Sequence, residues 1–445
     1  MQERTATSSL PPELLTYILG FHHDDRDALL QYALVSKAWI APAQIHIFRS
    51  VTITEEELQA FLSFIDAAPY VRPYIVRISI DAQSSKKPIT PSPILHPDLA
   101  SELPPLQELD PVQLHRIISL FLHLETIELR HFHLRPGTEA VVSHQNAELG
   151  ANLRLKTLLV GHCSYEHPSD LLEILRYFES IDHLYIVQNL FKTFHSRPSG
   201  ACLLPSPLIS NVTLEYLQPY TVLNRISNLT TSKILQVPGT TNLQSLHLTQ
   251  YPPWATLHVE RALEVVHPRL KHLSLDFRGL SEDPSHKGVF SKITRFKYLQ
   301  SVSLRLSMDI EQRLPGYEIY SPIQEFIRDV LSSLHPKTLK TLRQVRCMLY
   351  PGLQMSVSSY SWLVLQRLVN WAFLNDFVNR RTYLEKFEFE MCYEIQGIDQ
   401  GRLTAAGAHD IDSLLQDLRW TSARFRQILH LTENYSSRLS HTRGL

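Results

Sequence analysis

Leu124-Glu125-Thr126-Ile127-Glu128-Leu129 is the stretch on which the fold of this chain turns. On a short strand Ile127 and Leu129 point one way while Thr126 and Glu128 point the other, so one face is buried and the other meets water. The same Leu-x-x-Leu-x-Leu spacing, with Ile, Val or Phe allowed, starts again at Phe48, Ile75, Leu155, Ile181, Ile209, Leu243, Leu270, Leu299, Leu339 and Leu384. Most of these starts lie 26 to 34 residues apart. A strand plus a helix of that length cannot bury its own apolar face. Such units must stack on their neighbours, giving a curved solenoid with a parallel sheet on one side and helices outside.

The segments between the strands fit that scheme. Residues 54–67 open with a Thr54-x-x-Glu57 capping box, and residues 168–181 place Leu171, Leu172, Leu175 and Phe178 on one side. Residues 322–334 read as a third helix. An insertion at about 81–110 carries Ser84-Ser85-Lys86-Lys87-Pro88 and a Pro-rich run through Pro104-Pro105, which predicts an exposed loop that cannot pair in a sheet. Residues 398–445 lack the repeat spacing. Ile411, Leu414, Leu415, Leu418, Phe425, Ile428 and Leu429 there suggest one or two helices closing the end of the array.

A different module precedes the repeats. After a polar tail at 1–9, Pro11 and Pro12 can start a helix because their missing N–H groups would be unpaired in its first turn, and Leu14, Leu15, Ile18 and Leu19 recur at helical spacing. Gly20 closes that helix and Asp24 or Asp25 can cap the next. Leu29, Leu30, Ala33 and Leu34 line a second stripe before Val35 and Trp39. Residues 10–47 are too few to bury a stable core alone, so a partner protein should satisfy some of these apolar positions.

Leu10-Pro11-x-Glu13-Leu14-Leu15-x-x-Ile18-Leu19 followed by Leu34-Val35-Ser36-Lys37-x-Trp39 resembles an F-box of the kind found in large fungal families. Where the family often has Cys or Arg-Cys before Val-Ser, this chain has Ala33 and Leu34. The resemblance implies binding to the Skp adaptor of a cullin–RING ubiquitin ligase through Leu10, Pro11, Leu14, Leu15, Ile18, Val35 and Trp39. Residues 48–397 are similar to degenerate leucine-rich repeats. The combination looks like the substrate receptors of such ligases: a non-catalytic subunit with no cofactor, acting in the cytoplasm or nucleus on a protein target. In the repeat consensus the ninth position holds Asn or Cys, whose side chain bonds to the backbone of the turn. Counting from Leu155, Leu339 and Leu384 puts Cys163, Cys347 and Cys392 there, and counting from Ile181 puts Asn189 there.

Composition narrows the function further. Lys plus Arg total 43 and Asp plus Glu 44, so no global field attracts nucleic acid or an anionic membrane. The polar start and the lack of an eighteen-residue apolar run argue against secretion and membrane spanning, which makes the three Asn-x-Ser/Thr sequons chance matches. Four scattered cysteines read as reduced thiols, none of them at Cys-x-x-Cys metal spacing. Among 22 histidines, His22-His23-Asp24-Asp25 and His131-Phe132-His133 invite a metal reading, but each lacks a third ligand at metal-site spacing and is better explained as turn and loop residues. Gly-x-Ser-x-Gly, His-Glu-x-x-His and the phosphate-binding glycine motifs are absent. The expected target surface is the outward face of the strands, with Glu128, Tyr185, Thr213, His247, Ser274, Arg305 and Glu388 as its candidate residues. A repeat scaffold with no link to a ligase, its N-terminal helices serving only as a cap, is the alternative.

Overall fold

Apolar residues spaced as in Leu124–Leu129 end up paired across neighbouring strands. The computed structural model describes residues 10–23, 25–82, 107–109, 111–121, 123–134, 153–165, 168–187, 190–191, 207–215, 235, 240, 242–249, 256–266, 268–277, 292–308, 322–334, 337–351, 369–395, 421 and 423–437. The polar tail at 1–9, most of the Pro-rich insertion and Asn189 lie outside them. The chain forms two compact units, Met1–Ile209 and Ser210–Leu445.

In the first unit α1 (Pro12–Gly20), α2 (Arg26–Val35) and α3 (Lys37–Ile47) lead into β1 (Ser50–Thr54), α4 (Glu55–Ala67), a 3-10 turn over Pro69–Tyr74 and β2 (Arg77–Asp81). There follow β3 (Gln107–Leu109), α5 (Pro111–Leu120), β4 (Thr126–Arg130), β5 (Phe132–Leu134), β6 (Arg154–Gly161), β7 (Ser164–Tyr165), α6 (Pro168–Leu175), β8 (Ser180–Val187) and β9 (Leu190–Phe191). Strands β1, β2, β4, β6 and β8 pair in that order, all parallel, with Val51, Ile78, Ile127, Leu158 and Leu184 in register. The sixth-position residues Ile53, Ile80, Leu129, Val160 and Ile186 are all buried. The short strands β3, β5, β7 and β9 form a second parallel ladder. That ladder corrects the sequence reading at the end of the insertion, where Gln107–Leu109 is a strand and not loop.

The second unit continues with β10 (Leu208–Glu215), β11 (Ser245–Thr249), α7 (Thr256–Val265), β12 (His272–Phe277), β13 (Ser301–Met308), α8 (Pro322–Ser332) and the short α9 (Thr338–Thr341). It ends with β14 (Gln344–Pro351), α10 (Trp371–Asn379), β15 (Lys386–Ile395), α11 (Ala423–Ile428) and β16 (Leu429–Ser437). Strands β10 to β16 pair sequentially and in parallel, keeping Val212, Leu246, Leu273, Val302, Val345, Phe387 and Leu429 in one register. Helices lie on the apolar side. Trp371 of α10 meets Phe389 of β15 edge-on at 5.4 Å, while Glu388 and Glu390 alternate onto the opposite face. The expected mixed α/β fold of parallel strands and covering helices, solenoid-like in its stacking, is therefore the observed one.

Two expectations fail in the second unit. The helical end expected over 398–445 contains, among its described residues, only α11 before the nine-residue strand β16. The repeat start at Leu339 is three residues early: Cys347 pairs with Leu304 and Phe389, so Leu342 is the true first position and Cys347 a sixth-position core residue. Leu339 imitates a start because the i, i+3 step to Leu342 is also one helical turn, and Leu339 sits in α9. Cys163 and Cys392 do fall in the ninth position and are buried, the Cys163 thiol donating to the Gly161 carbonyl at 3.3 Å.

Candidate functional site

The three N-terminal helices share a very small core. Leu19, Leu29 and Ala43 are fully buried, with Tyr32, Ala33, Trp39 and Ile47 packed against them. Asp25 caps α2 by accepting from the Ala28 N–H at 2.9 Å, and His46 reaches back from α3 to the Thr16 carbonyl at 3.0 Å, joining the ends of the module. Large apolar side chains are left outside: Leu14 is 49% exposed, Ile18 37%, Phe21 70%, Leu34 86% and Val35 64%. Leu10, Tyr17, Leu30 and Ile40 are exposed as well. Monomeric proteins rarely leave that much apolar surface open on one small module.

Of the residues predicted for adaptor contact, Leu10, Pro11, Leu14, Ile18 and Val35 lie at the surface. Leu15 does not; at 2% exposure it belongs to the core. Trp39 is half-buried and stacks on Tyr32 at 5.6 Å, so it both supports the module and borders the surface. Tyr17, Phe21, Leu30, Leu34 and Ile40 were missing from the prediction, which took only the motif positions. The signal that finds them is an apolar residue on the helix face opposite the buried stripe.

The polar strand face is the second candidate. In the first unit Glu128 and Tyr185 share a register row through Leu159; in the second, Thr213, His247, Ser274 and Glu388 share one through Ser303 and Arg346. Arg305 sits two residues along, paired with Asp276. Burial sorts these seven residues. Tyr185, Thr213 and His247 are half-buried and Arg305 is partly open, whereas Glu128, Ser274 and Glu388 are buried. The acids are covered by cations from the neighbouring strand and from their own: Arg77 of β2 and Arg130 of β4 on Glu128, and Arg346 of β14 and Lys386 of β15 on Glu388. Arg346 also donates to Glu390 at 2.6 Å. A buried carboxylate needs such partners, so Arg77 and Arg346 are the solvent-facing members of these pairs. Sequence reasoning missed both, Arg346 because the misplaced Leu339 start hid its register.

A third cluster lies where the strands of the first unit turn. His131 and His162 occupy equivalent positions of successive repeats with left-handed φ values of 61° and 55°, and their rings stack at 4.7 Å. His131 bonds Asp81 at 2.8 Å, and His133 is buried against the Ser164 hydroxyl at 2.8 Å. Burial first, then the neighbouring His131 and Arg130, push His162 down to about 4, so its imidazole is neutral at ordinary pH. Burial likewise holds the Cys163 and Cys347 thiols up at about 12. Thiols held in the protonated form are poor nucleophiles. Among the described residues no group of three or more His, Cys, Asp or Glu is placed to hold a metal ion, and no helix is long and apolar enough to cross a membrane. No family model matches this sequence, and no curated protein matches it.

Proposed function

We propose that this chain is the substrate-recognition adaptor of a Skp–cullin–F-box ubiquitin ligase. The observation that carries the reading is the exposed apolar surface of the N-terminal module, coinciding with the residues that resemble an F-box. Leu14, Ile18 and Val35 are large, apolar and outside the small core of the module. An aqueous module gains nothing from that arrangement, and a partner groove does. The polar strand face would hold the target, recognised by hydrogen bonds around Tyr185, His247 and Arg305. No residue of the chain needs to perform bond chemistry, because the ligase core supplies the ubiquitin-charged enzyme and the adaptor supplies proximity. The reading places the protein in the cytoplasm or nucleus, bound to Skp and through it to the cullin–RING core.

Co-purification with Skp tests this. Leu14→Asp buries a charge in the proposed interface, costing several kcal/mol, so adaptor capture should fall by about a hundredfold or more while the melting profile stays unchanged. Val35→Asp should act in the same way. Trp39→Ala is a poorer probe because that ring packs against the module's own core. A wild-type protein that captures no Skp, or variants that capture it as well as wild type, would leave the alternative, a repeat scaffold unconnected to a ligase.

A further inference from the structure

The chain as a whole is close to neutral, but its basic residues are unevenly placed. In the second unit the five connections that enter β12 to β16, residues 265–271, 292–300, 337–343, 380–386 and 424–426, contain thirteen Lys or Arg and a single acid, Glu385. The corresponding connections of the first unit mix their charges, with the Arg154–Glu179 and Lys156–Glu125 pairs side by side.

These connections lie next to one another. Backbone bonds run from the Gln300 N–H to the Lys271 carbonyl, from Arg343 N–H to Gln300 and from Glu385 N–H to Arg343, so the strand entrances form one row. Further back, Arg295 donates to the Leu263 and Glu264 carbonyls, Thr338 and Thr341 to the Phe296 and Leu299 carbonyls, and Arg424 to three carbonyls between Arg381 and Leu384. Each connection is thus laid on the one before it. Some cations are occupied: Lys292 pairs with Glu264, Arg343 with Glu385 and Arg380 with Asp376. Helix C-termini favour basic residues and account for part of the enrichment. They account for Lys340 and Arg426, each in the last turn of its helix, and not for Arg269 and Lys297; all four side chains are exposed.

We infer that this edge of the second unit is a docking surface for an acidic, extended polypeptide segment. The inference stands whether or not the N-terminal module binds Skp. Strands about 4.8 Å apart spread five entrances over roughly 19 Å, the length of about six extended residues. Carboxylates on such a segment meet guanidinium and ammonium groups without a deep groove. Single-stranded nucleic acid fits less well, because it stacks its bases on free aromatic faces: of the two exposed tyrosines of the row, Tyr298 and Tyr383, the second already carries the Arg343 guanidinium over its ring at 5.8 Å.

The test uses the full chain and a fluorescein-labelled oligoglutamate about six to eight residues long, the length the row accepts, read by anisotropy. Binding should weaken steeply with added salt, and the double charge reversal Lys297→Glu with Lys340→Glu should reduce affinity by about tenfold or more with an unchanged circular-dichroism melt. A matched reversal at Arg154 and Lys156 should leave it unaltered. Absence of oligoglutamate binding, equal binding by the Lys297/Lys340 variant, or tighter binding of oligouridylate or phosphatidylserine vesicles would each overturn the assignment.

Discussion

Cys163 and Cys347 are both buried thiols pushed up to about 12, yet their surroundings ask for opposite replacements. Cys163 lies beside backbone groups of the turn, so Cys163→Asn finds carbonyl partners and should change stability by less than about 1 kcal/mol. Cys347 is stacked between Leu304 and Phe389, where an amide finds no polar side-chain partner in the register. Cys347→Asn should cost about 2–4 kcal/mol in urea unfolding, with Cys347→Val close to neutral. Equal tolerance of Asn at both sites would contradict the register. In the folded native protein neither thiol should react with iodoacetamide at pH 8, as mass spectrometry of labelled peptides can show. His162 supplies the pH-dependent counterpart. Its folded value of about 4 lies below the unfolded 6.5, so protonation favours the unfolded chain: its contribution is complete above pH 6.5 and is lost as pH falls toward 4. His131 and Arg130 beside it add to the effect of burial, and Asp81 opposes it without cancelling it. The first unit should lose about 2 kcal/mol more between pH 7 and pH 5 than a His162→Asn variant, since Asn accepts the left-handed backbone. Parallel pH curves for the two proteins would remove His162 as the cause.

Among the elements, those with strong local signals were legible. Helix α4 begins where Thr54-x-x-Glu57 predicts, with the Glu57 carboxylate accepting from the Thr54 N–H at 3.0 Å and drawn below its usual range by that bond. Ten of the eleven repeat starts keep their register in the strand pairings, because positions one, four and six are apolar in each of them. What was hidden lacked a local apolar pattern. Strand β16 has Arg426 where its repeat should begin with Leu, so no Leu-x-x-Leu-x-Leu spacing marks it off from helix α11. The two- and three-residue strands of the small ladder are too short for alternation to register. The burial of Glu128 and Glu388 was also unreadable, since it depends on cations contributed by strands dozens of residues away. Arg424 shows how the unread end is held. Its guanidinium donates to the carbonyls of Arg381 at 2.7 Å and Thr382 at 2.9 Å. Arg424→Ala should weaken the docking of β16 by about 1–3 kcal/mol. Amide exchange would accelerate across 429–437 while 301–308 stays protected; uniform exchange in both segments would show that Arg424 does not anchor the end.

For the whole molecule, the adaptor reading requires two surfaces that work independently, an apolar one for the ligase and a polar one for the target. Their chemistry differs enough to be separated by mutation. Arg305→Ala is unsuitable on the polar side because it removes a partner from Asp276, whose side chain is fully buried, and so damages the fold along with the surface. Tyr185 and His247 are better. Tyr185 is half-buried and stacks loosely on His183 at 6.3 Å, and His247 shares its row with Thr213 and Ser274, so truncating either leaves the strand core intact. Interface aromatics carry a disproportionate share of binding energy, and Tyr185→Ala with His247→Ala should lower target capture by about tenfold or more. Skp capture by the same protein should not change, whereas Leu14→Asp should give the converse pattern. Quantitative mass spectrometry of co-purified proteins reads both arms at once. If the Tyr185/His247 variant keeps every wild-type partner, the target is held elsewhere, and the basic edge entered through Lys297 and Lys340 becomes the surface to mutate next.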